Sequence, residues 1–222
     1  MNEWLEFFIE DQRIVGVLKN PASDICVVTC HGLFYSKESE KYVEISKEFS
    51  KNNIAVLRFD FRGCGESSGR FEKSTLSQRL EDLEKVLEYV FENFNSVGIL
   101  GSSFGGVVSL IEASKNPKIG CVVTWSSPFH LVSLFKSHSV EGEFLEDLKR
   151  YNMVEVSKNV RNLLVIHGSR DELVPLQHAK DLYKNASNPK KLKILEDNHR
   201  ITEKREEAIK NSLEWFKIHL GG

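Results

Sequence analysis

Apolar residues fall along this chain in short β-branched runs, and between the runs they recur every three or four positions. "WLEFFIE" and "RIVGVLK" flank Asp11-Gln12 and predict an opening antiparallel hairpin. "DICVVTC" (24–30) is almost continuously apolar, the pattern of a strand buried on both faces. Tyr42, Ile45 and Phe49 then form one helical stripe, and "NIAVLRFD" (53–60) is the next strand. Leu76, Leu80, Leu83, Leu87, Val90 and Phe94 step by four and three, the clearest helix in the chain. The alternation continues with strand 96–100, a helix from about 104 to 115, and strand 119–125. Strand 162–168 precedes a helix near 176–185. Strand 191–196 precedes a last helix carrying Ile209, Leu213, Phe216 and Leu220, stopped at Gly221-Gly222.

Strand–helix alternation of this kind predicts an α/β architecture, a mostly parallel sheet with helices on both faces. Such sheets carry their chemistry in loops at the carboxyl ends of the strands. The 222 residues show no internal repeat or linker, so one domain over 1–222 is expected. One crossover, from Ser127 to Arg161, exceeds the dozen or so residues a parallel connection needs. It is rich in Phe and Leu. The surplus predicts a small cap segment at about 127–161, with Phe34, Phe129 and Phe135 lining an apolar pocket. Phe144, Leu148 and Tyr151 follow helical spacing and are expected in the core.

Composition narrows the partners. The chain is 41% apolar and 28% charged, with a formal net charge of −2 and signs well mixed, which argues against a nucleic-acid surface or an acidic-lipid anchor. The opening "MNEWLEFFIEDQ" has no basic n-region, and no apolar run approaches the ~20 residues of a membrane span. Cys26, Cys30, Cys64 and Cys121 match no zinc spacing and read as free thiols in a reducing, cytoplasmic setting. Neither a metal nor an organic cofactor is implied.

Between a predicted strand and a predicted helix lies "ILGSSFGGVVSL", with two adjacent serines. Centred on Ser103, the stretch reads Gly101-Ser102-Ser103-Phe104-Gly105, a G-x-S-x-G in the strand–turn–helix context that motif requires. Centred on Ser102, it would put Leu100 and Phe104 where the sharp turn needs small residues, so the frame selects Ser103. A dinucleotide or phosphate loop is the competing reading. It lacks G-x-G-x-x-G and the phosphate-loop lysine. A serine nucleophile needs a base and an acid that orients it, in the chain order Ser, Asp or Glu, His. "HGSRDELVP" offers Asp171, with Glu172 as second choice, and "DNHRI" offers His199, each just past a predicted strand. Asp197 is too close in sequence to His199 to orient it. His130, His138, His178 and His219 fall in the irregular stretch, a helix or the C-terminal end. The backbone N–H groups of Phe104 and of Leu33, in "CHGLFYSKES", are the expected oxyanion donors.

With "HGLF", "DFRGCGESSG", "GSSFGG" and "HGSRDELVP" plus His199 in this order, the chain resembles the α/β-hydrolase superfamily. It is most similar to small serine esterases of the feruloyl and cinnamoyl type and to the related serine-aminopeptidase-like group. Leu33 stands where those esterases often have Phe, and Ser102 where many hydrolases have His. The resemblance implies acyl transfer from a small-molecule ester to water, with Ser103, His199 and Asp171 as the catalytic set. Thioester or peptide hydrolysis by the same groups, and a non-catalytic module that kept the fold, are the alternatives.

Overall fold

The computed structural model describes residues 2–137 and 142–221. Its centre is an eight-stranded sheet: β1 (Asn2–Ile9), β2 (Gln12–Lys19), β3 (Ile25–Cys30), β4 (Ala55–Phe59), β5 (Ser96–Ser102), β6 (Ile119–Trp125), β7 (Leu163–Gly168) and β8 (Lys190–Leu195). The spatial order is β1-β2-β4-β3-β5-β6-β7-β8. β1 and β2 pair antiparallel, as do β2 and β4, and every other neighbouring pair is parallel. The expected α/β-hydrolase architecture is therefore present. The hairpin tip differs from expectation by one residue. Ile9 pairs with Gln12, so Glu10-Asp11 make the turn, with Glu10 in the left-handed region at φ 49.

Burial explains the strand patterns. Five consecutive residues of β4 and six of β7 are buried, because helices cover both faces there. On one face α1 (Glu40–Lys51) and α8 (Arg205–Leu220) pack Tyr42, Phe49, Phe216 and Leu220 against Val27, Val123 and Leu164. On the other face α2 (Leu76–Asn93), α3 (Phe104–Lys115) and α7 (Gln177–Asn185) cover Val28, Leu57, Ile99 and Val165. α2 starts at a capping box in which the Thr75 hydroxyl accepts from the Gln78 amide and the Gln78 side chain accepts from the Thr75 amide.

The long crossover contains three short helices: α4 (Leu131–Ser137), α5 (Glu143–Leu148) and α6 (Met153–Lys158). His138 lies outside the described residues, as does the stretch that follows it to 141. Tyr151 lies past α5 and bonds the Ser77 hydroxyl at 2.7 Å, which ties this segment to α2. The strands β3, β5, β7 and β8 all point their carboxyl ends to the same rim, and the loops that leave this rim carry His31, Ser103, Asp171 and His199.

Candidate active site

β5 runs as far as Ser102, α3 begins at Phe104, and Ser103 alone makes the turn, at φ 54 and ψ −125. A non-glycine residue held there is strained. The strain persists because the surroundings leave no room for anything else. A Cβ on Gly101 would meet the Gly105 carbonyl oxygen at 2.4 Å, and one on Gly105 would meet the Cys30 carbonyl oxygen at 2.1 Å. Both glycines of the motif are thus required by contact with backbone.

The two serines face different neighbours. Ser102 is 2% exposed and accepts a hydrogen bond from Lys41 Nζ at 2.6 Å. Ser103 Oγ lies 3.1 Å from His199 Nε2. The far nitrogen of that ring, Nδ1, lies 2.8 and 3.0 Å from the two Asp171 carboxylate oxygens. With an ionised Asp171, Nδ1–H donates to the carboxylate, so Nε2 keeps its lone pair toward the Ser103 hydroxyl.

Asp171 is held as an anion. Burial pushes its carboxyl up, but hydrogen bonds from His167 and His199 and the Val174 amide outweigh that and hold it well below the usual carboxylate range. The amides of Leu173 and Val174 donate to Oδ1 at 3.0 and 2.8 Å. His167, fully buried on β7, has its Nε2 2.8 Å from the Val174 carbonyl and 3.2 Å from Asp171 Oδ2. Both of those are acceptors, so the proton sits on Nε2.

The acids weighed as alternatives do other work. Glu172 Oε2 is 3.4 Å from the His199 amide. Buried Asp197 accepts from the amides of Asn198 and Lys204, both at 2.7 Å, and so braces the loop that presents His199. His178 is on α7, where its Nδ1 accepts from the amides of Phe129 and His130 and pins the start of the long crossover.

The loop after β3 lies against the serine, since a Cβ on Gly32 would come within 3.4 Å of Ser103 Cβ. His31 shapes this loop: its Nδ1 is 2.7 Å from the Gly32 carbonyl, and its Nε2 accepts from the Phe61 amide at 3.1 Å. Burial, reinforced by the Arg79 charge, pulls the imidazole down to about 4, so it is neutral in these roles. Among the described residues no protein acceptor takes the N–H of Leu33 or of Phe104. The three aromatic residues expected to line a pocket are spread out. Phe34 is 82% exposed and tilts against Phe71, Phe129 borders a shallow cleft with Tyr151, and Phe135 stacks edge-on against Phe104 at 5.6 Å.

Two participants escaped sequence reasoning. Lys41 sits on the buried side of a helix otherwise marked by aromatic and aliphatic residues, and nothing in its neighbourhood signals a partner 61 positions away. His167 looks like one more inward residue of β7. Its offset of four from Asp171 was the only signal. All four cysteines are free and buried, and among the described residues no cluster of three or more His, Cys, Asp or Glu could hold a metal ion.

A parallel sheet with an antiparallel opening hairpin, and a strained serine between β5 and α3, define the α/β-hydrolase fold. Residues 21–146 match the profile of the family described as "Serine aminopeptidase, S33", more than half of the chain, and the chain belongs to that family. Among curated proteins it is 27% identical over 158 residues to an uncharacterized protein YfhR of Escherichia coli (strain K12), an alignment covering 68% of this chain and 55% of that protein. The chain thus spans little more than half the length of such relatives. Among solved structures it is similar to Est1E from Butyrivibrio proteoclasticus bound to ferulic acid, with a TM-score of 0.89, 18% identity, and coverage of 98% of this chain and 100% of that one. The Pyrococcus furiosus esterase Pf2001 superposes with a TM-score of 0.83 at 23% identity, over 99% of this chain and 93% of that one. No helix among the described residues is long and apolar enough to cross a membrane.

Proposed function

We propose that the protein hydrolyses carboxylic esters of small molecules through an acyl-enzyme on Ser103. The observation that carries this reading is the unbroken hydrogen-bonded path from Ser103 Oγ through His199 to Asp171. In the reaction His199 Nε2 accepts the Ser103 proton as Oγ attacks the acyl carbonyl. Asp171 keeps the ring in the working tautomer and stabilises its charged form. The N–H groups of Leu33 and Phe104 receive the oxyanion, each such donor typically contributing ~2.7–4 kcal/mol to the transition state. His199 then protonates the departing alcohol, and a water, deprotonated by the same nitrogen, releases the acid and restores Ser103.

The crossover segment 127–161 acts as a small cap in this reading. Phe135 and Phe144 place it directly on Phe104, the residue after the nucleophile. The names of two structural neighbours, an esterase and a protein bound to ferulic acid, support the ester class. The family description favours a second reading, cleavage of an aminoacyl amide by the same groups.

Labelling with a fluorophosphonate probe, followed by a panel of p-nitrophenyl butyrate, an aryl ester, an acyl-thioester and an aminoacyl-anilide, tests both. The expected result is covalent labelling that disappears in Ser103→Ala, with the esters turned over fastest. Labelling retained in Ser103→Ala would refute the assignment, and a lead for the anilide would transfer it to the second reading.

A further inference from the structure

Two cations flank the oxyanion loop without a carboxylate partner, among the described residues. Lys41, on one side, gives its ammonium to the Ser102 hydroxyl. Arg79, on the other, projects from the first turn of α2 and is 0% exposed. Among the described residues its Nη2 reaches only the Cys64 sulfur, at 3.6 Å, while Nε and Nη1 have no hydrogen-bond partner. The acid three residues further on is no help, because Asp82 is committed to Arg62: its Oδ1 accepts from Nε and its Oδ2 from the backbone N–H, both at 2.8 Å. The other buried basic side chains are paired: Lys37 with Asp60, Arg58 with Glu38 and Arg62 with Asp82. A sealed guanidinium with open donors is costly in an apolar surround, and it calls for a group that completes it.

Its position indicates what that group is. The guanidinium carbon lies 5.1 Å from the Phe61 ring centre, 5.7 Å from that of Phe104 and 5.9 Å from that of Phe71. Beside the oxyanion loop is an open cleft of about 370 Å³ whose wall includes Leu33, Phe34, Cys64 and Phe71. Cys64 and Phe71 both rest on Arg79, so the charge lies one side chain behind that wall. A weak sulfur contact is what a ligand has to displace to reach it. Arg79 and Lys41 together impose positive potential on the loop, and both charges act on His31.

We propose that Arg79 receives a carboxylate carried by the substrate, so that the preferred esters are anionic ones. The planar guanidinium matches a carboxylate with two parallel hydrogen bonds, from Nη2 together with either Nε or Nη1; both of the latter are open, and Nη2 becomes available once the weak Cys64 contact is displaced. The proposal rests on the ester-hydrolase reading above. It differs from a purely structural role, in which the guanidinium would be an inert pillar among three aromatic rings.

The test compares kcat/KM within two matched pairs. 4-Nitrophenyl hemiglutarate is set against its methyl-capped diester, which places the carboxylate on the acyl side. 4-Carboxyphenyl butyrate is set against its methyl ester, which places it on the alcohol side. The expected result is a preference of tenfold or more for the charged member of one pair, and the pair concerned identifies the side of the substrate Arg79 reads. Arg79→Met should cut that ratio at least tenfold, and Arg79→Lys should cut it less. The melting temperature of Arg79→Met should not fall, because an unpaired buried charge is replaced by an apolar chain of similar reach. No charged-ester preference in the unaltered protein, or a ratio that Arg79→Met and Arg79→Lys leave untouched, overturns the proposal. Fluorophosphonate labelling runs in parallel: ester turnover with labelling but without the preference defeats only this inference, whereas absent labelling and turnover defeat the ester-hydrolase reading itself.

Discussion

Adjacent serines with the same hydroxyl have opposite fates here, and the difference is set by the groups each one meets. Ser103 meets an imidazole. Ser102 meets an ammonium that, among the described residues, has no other hydrogen-bond partner, and burial, with the charges of Arg205 and Arg200, pulls Lys41 down to about 7. Ser102→Ala should therefore keep fluorophosphonate labelling but lose about 1–3 kcal/mol of stability in urea unfolding, the cost of stranding a buried donor. Labelling lost in Ser102→Ala and retained in Ser103→Ala would reverse the roles. His167 gives a second prediction. Its Nε2–H is shared between the Val174 carbonyl at 2.8 Å and Asp171 Oδ2 at 3.2 Å, the oxygen that His199 also approaches, and a hydrogen bond to a charged group is worth about 1.5–3 kcal/mol. His167→Leu should lower kcat for ester substrates by roughly tenfold or more, with circular dichroism unchanged. Equal kcat would mean that Asp171 is oriented without it. At this scale Ser103, Asp171 and His199 were legible because each follows a strand in a recognisable order. Lys41 and His167 were not, because burial hides a polar role inside an apolar pattern.

Among the elements, the strand–turn–helix at the serine is the most constrained. Its tolerance is set by backbone contact, so Gly105→Ala should cost at least about 3 kcal/mol, near the upper range for overpacking, and should abolish labelling even where the chain remains folded. A stable, labelled Gly105→Ala would show that the turn can relax. The start of α2 offers a milder contrast: losing the Thr75 cap should cost about 0.5–2 kcal/mol without changing the site chemistry, measured as a shift of the urea midpoint. The long helices and buried strands were readable from period alone, since each repeats its pattern over several turns or over both faces. The short helices α4, α5 and α6 were not. Six or seven residues complete fewer than two turns, and their aromatic residues are placed by contact with Phe104 and α2, not by local preference.

For the whole molecule, the buried neutral histidines predict an acid-sensitive fold. Burial, then the charge of Arg79, lowers His31 to about 4, and burial, then the charges of His130 and His167, lowers His178 to about 4, against 6.5 in an unfolded chain. Between pH 6.5 and 4 the unfolded chain binds protons that the folded protein refuses, so stability falls as pH drops through that window. The slope is about 1.4 kcal/mol per pH unit for each proton taken up. Below pH 4 the depressed Asp171 carboxyl acts in the same direction, because the unfolded acid protonates first. Urea unfolding at pH 7, 5.5 and 4.5 should show this decline, and a flat profile would mean that these rings are charged in the fold.

The sequence by itself determined the alternation of strands and helices, the frame of the serine turn and the order of serine, acid and histidine. These depend on residue size, period and position relative to a strand, all of which are local. Only the tertiary structure decided that Asp171 and His199 come within hydrogen-bonding distance, that Lys41 holds Ser102, and that Arg79, among the described residues, lies without a carboxylate partner against Cys64. Those outcomes arise from contacts between residues 15 to 61 positions apart, fixed by how helices seat on the sheet. Whether a buried charge finds a partner depends on that seating, and no window of sequence contains it.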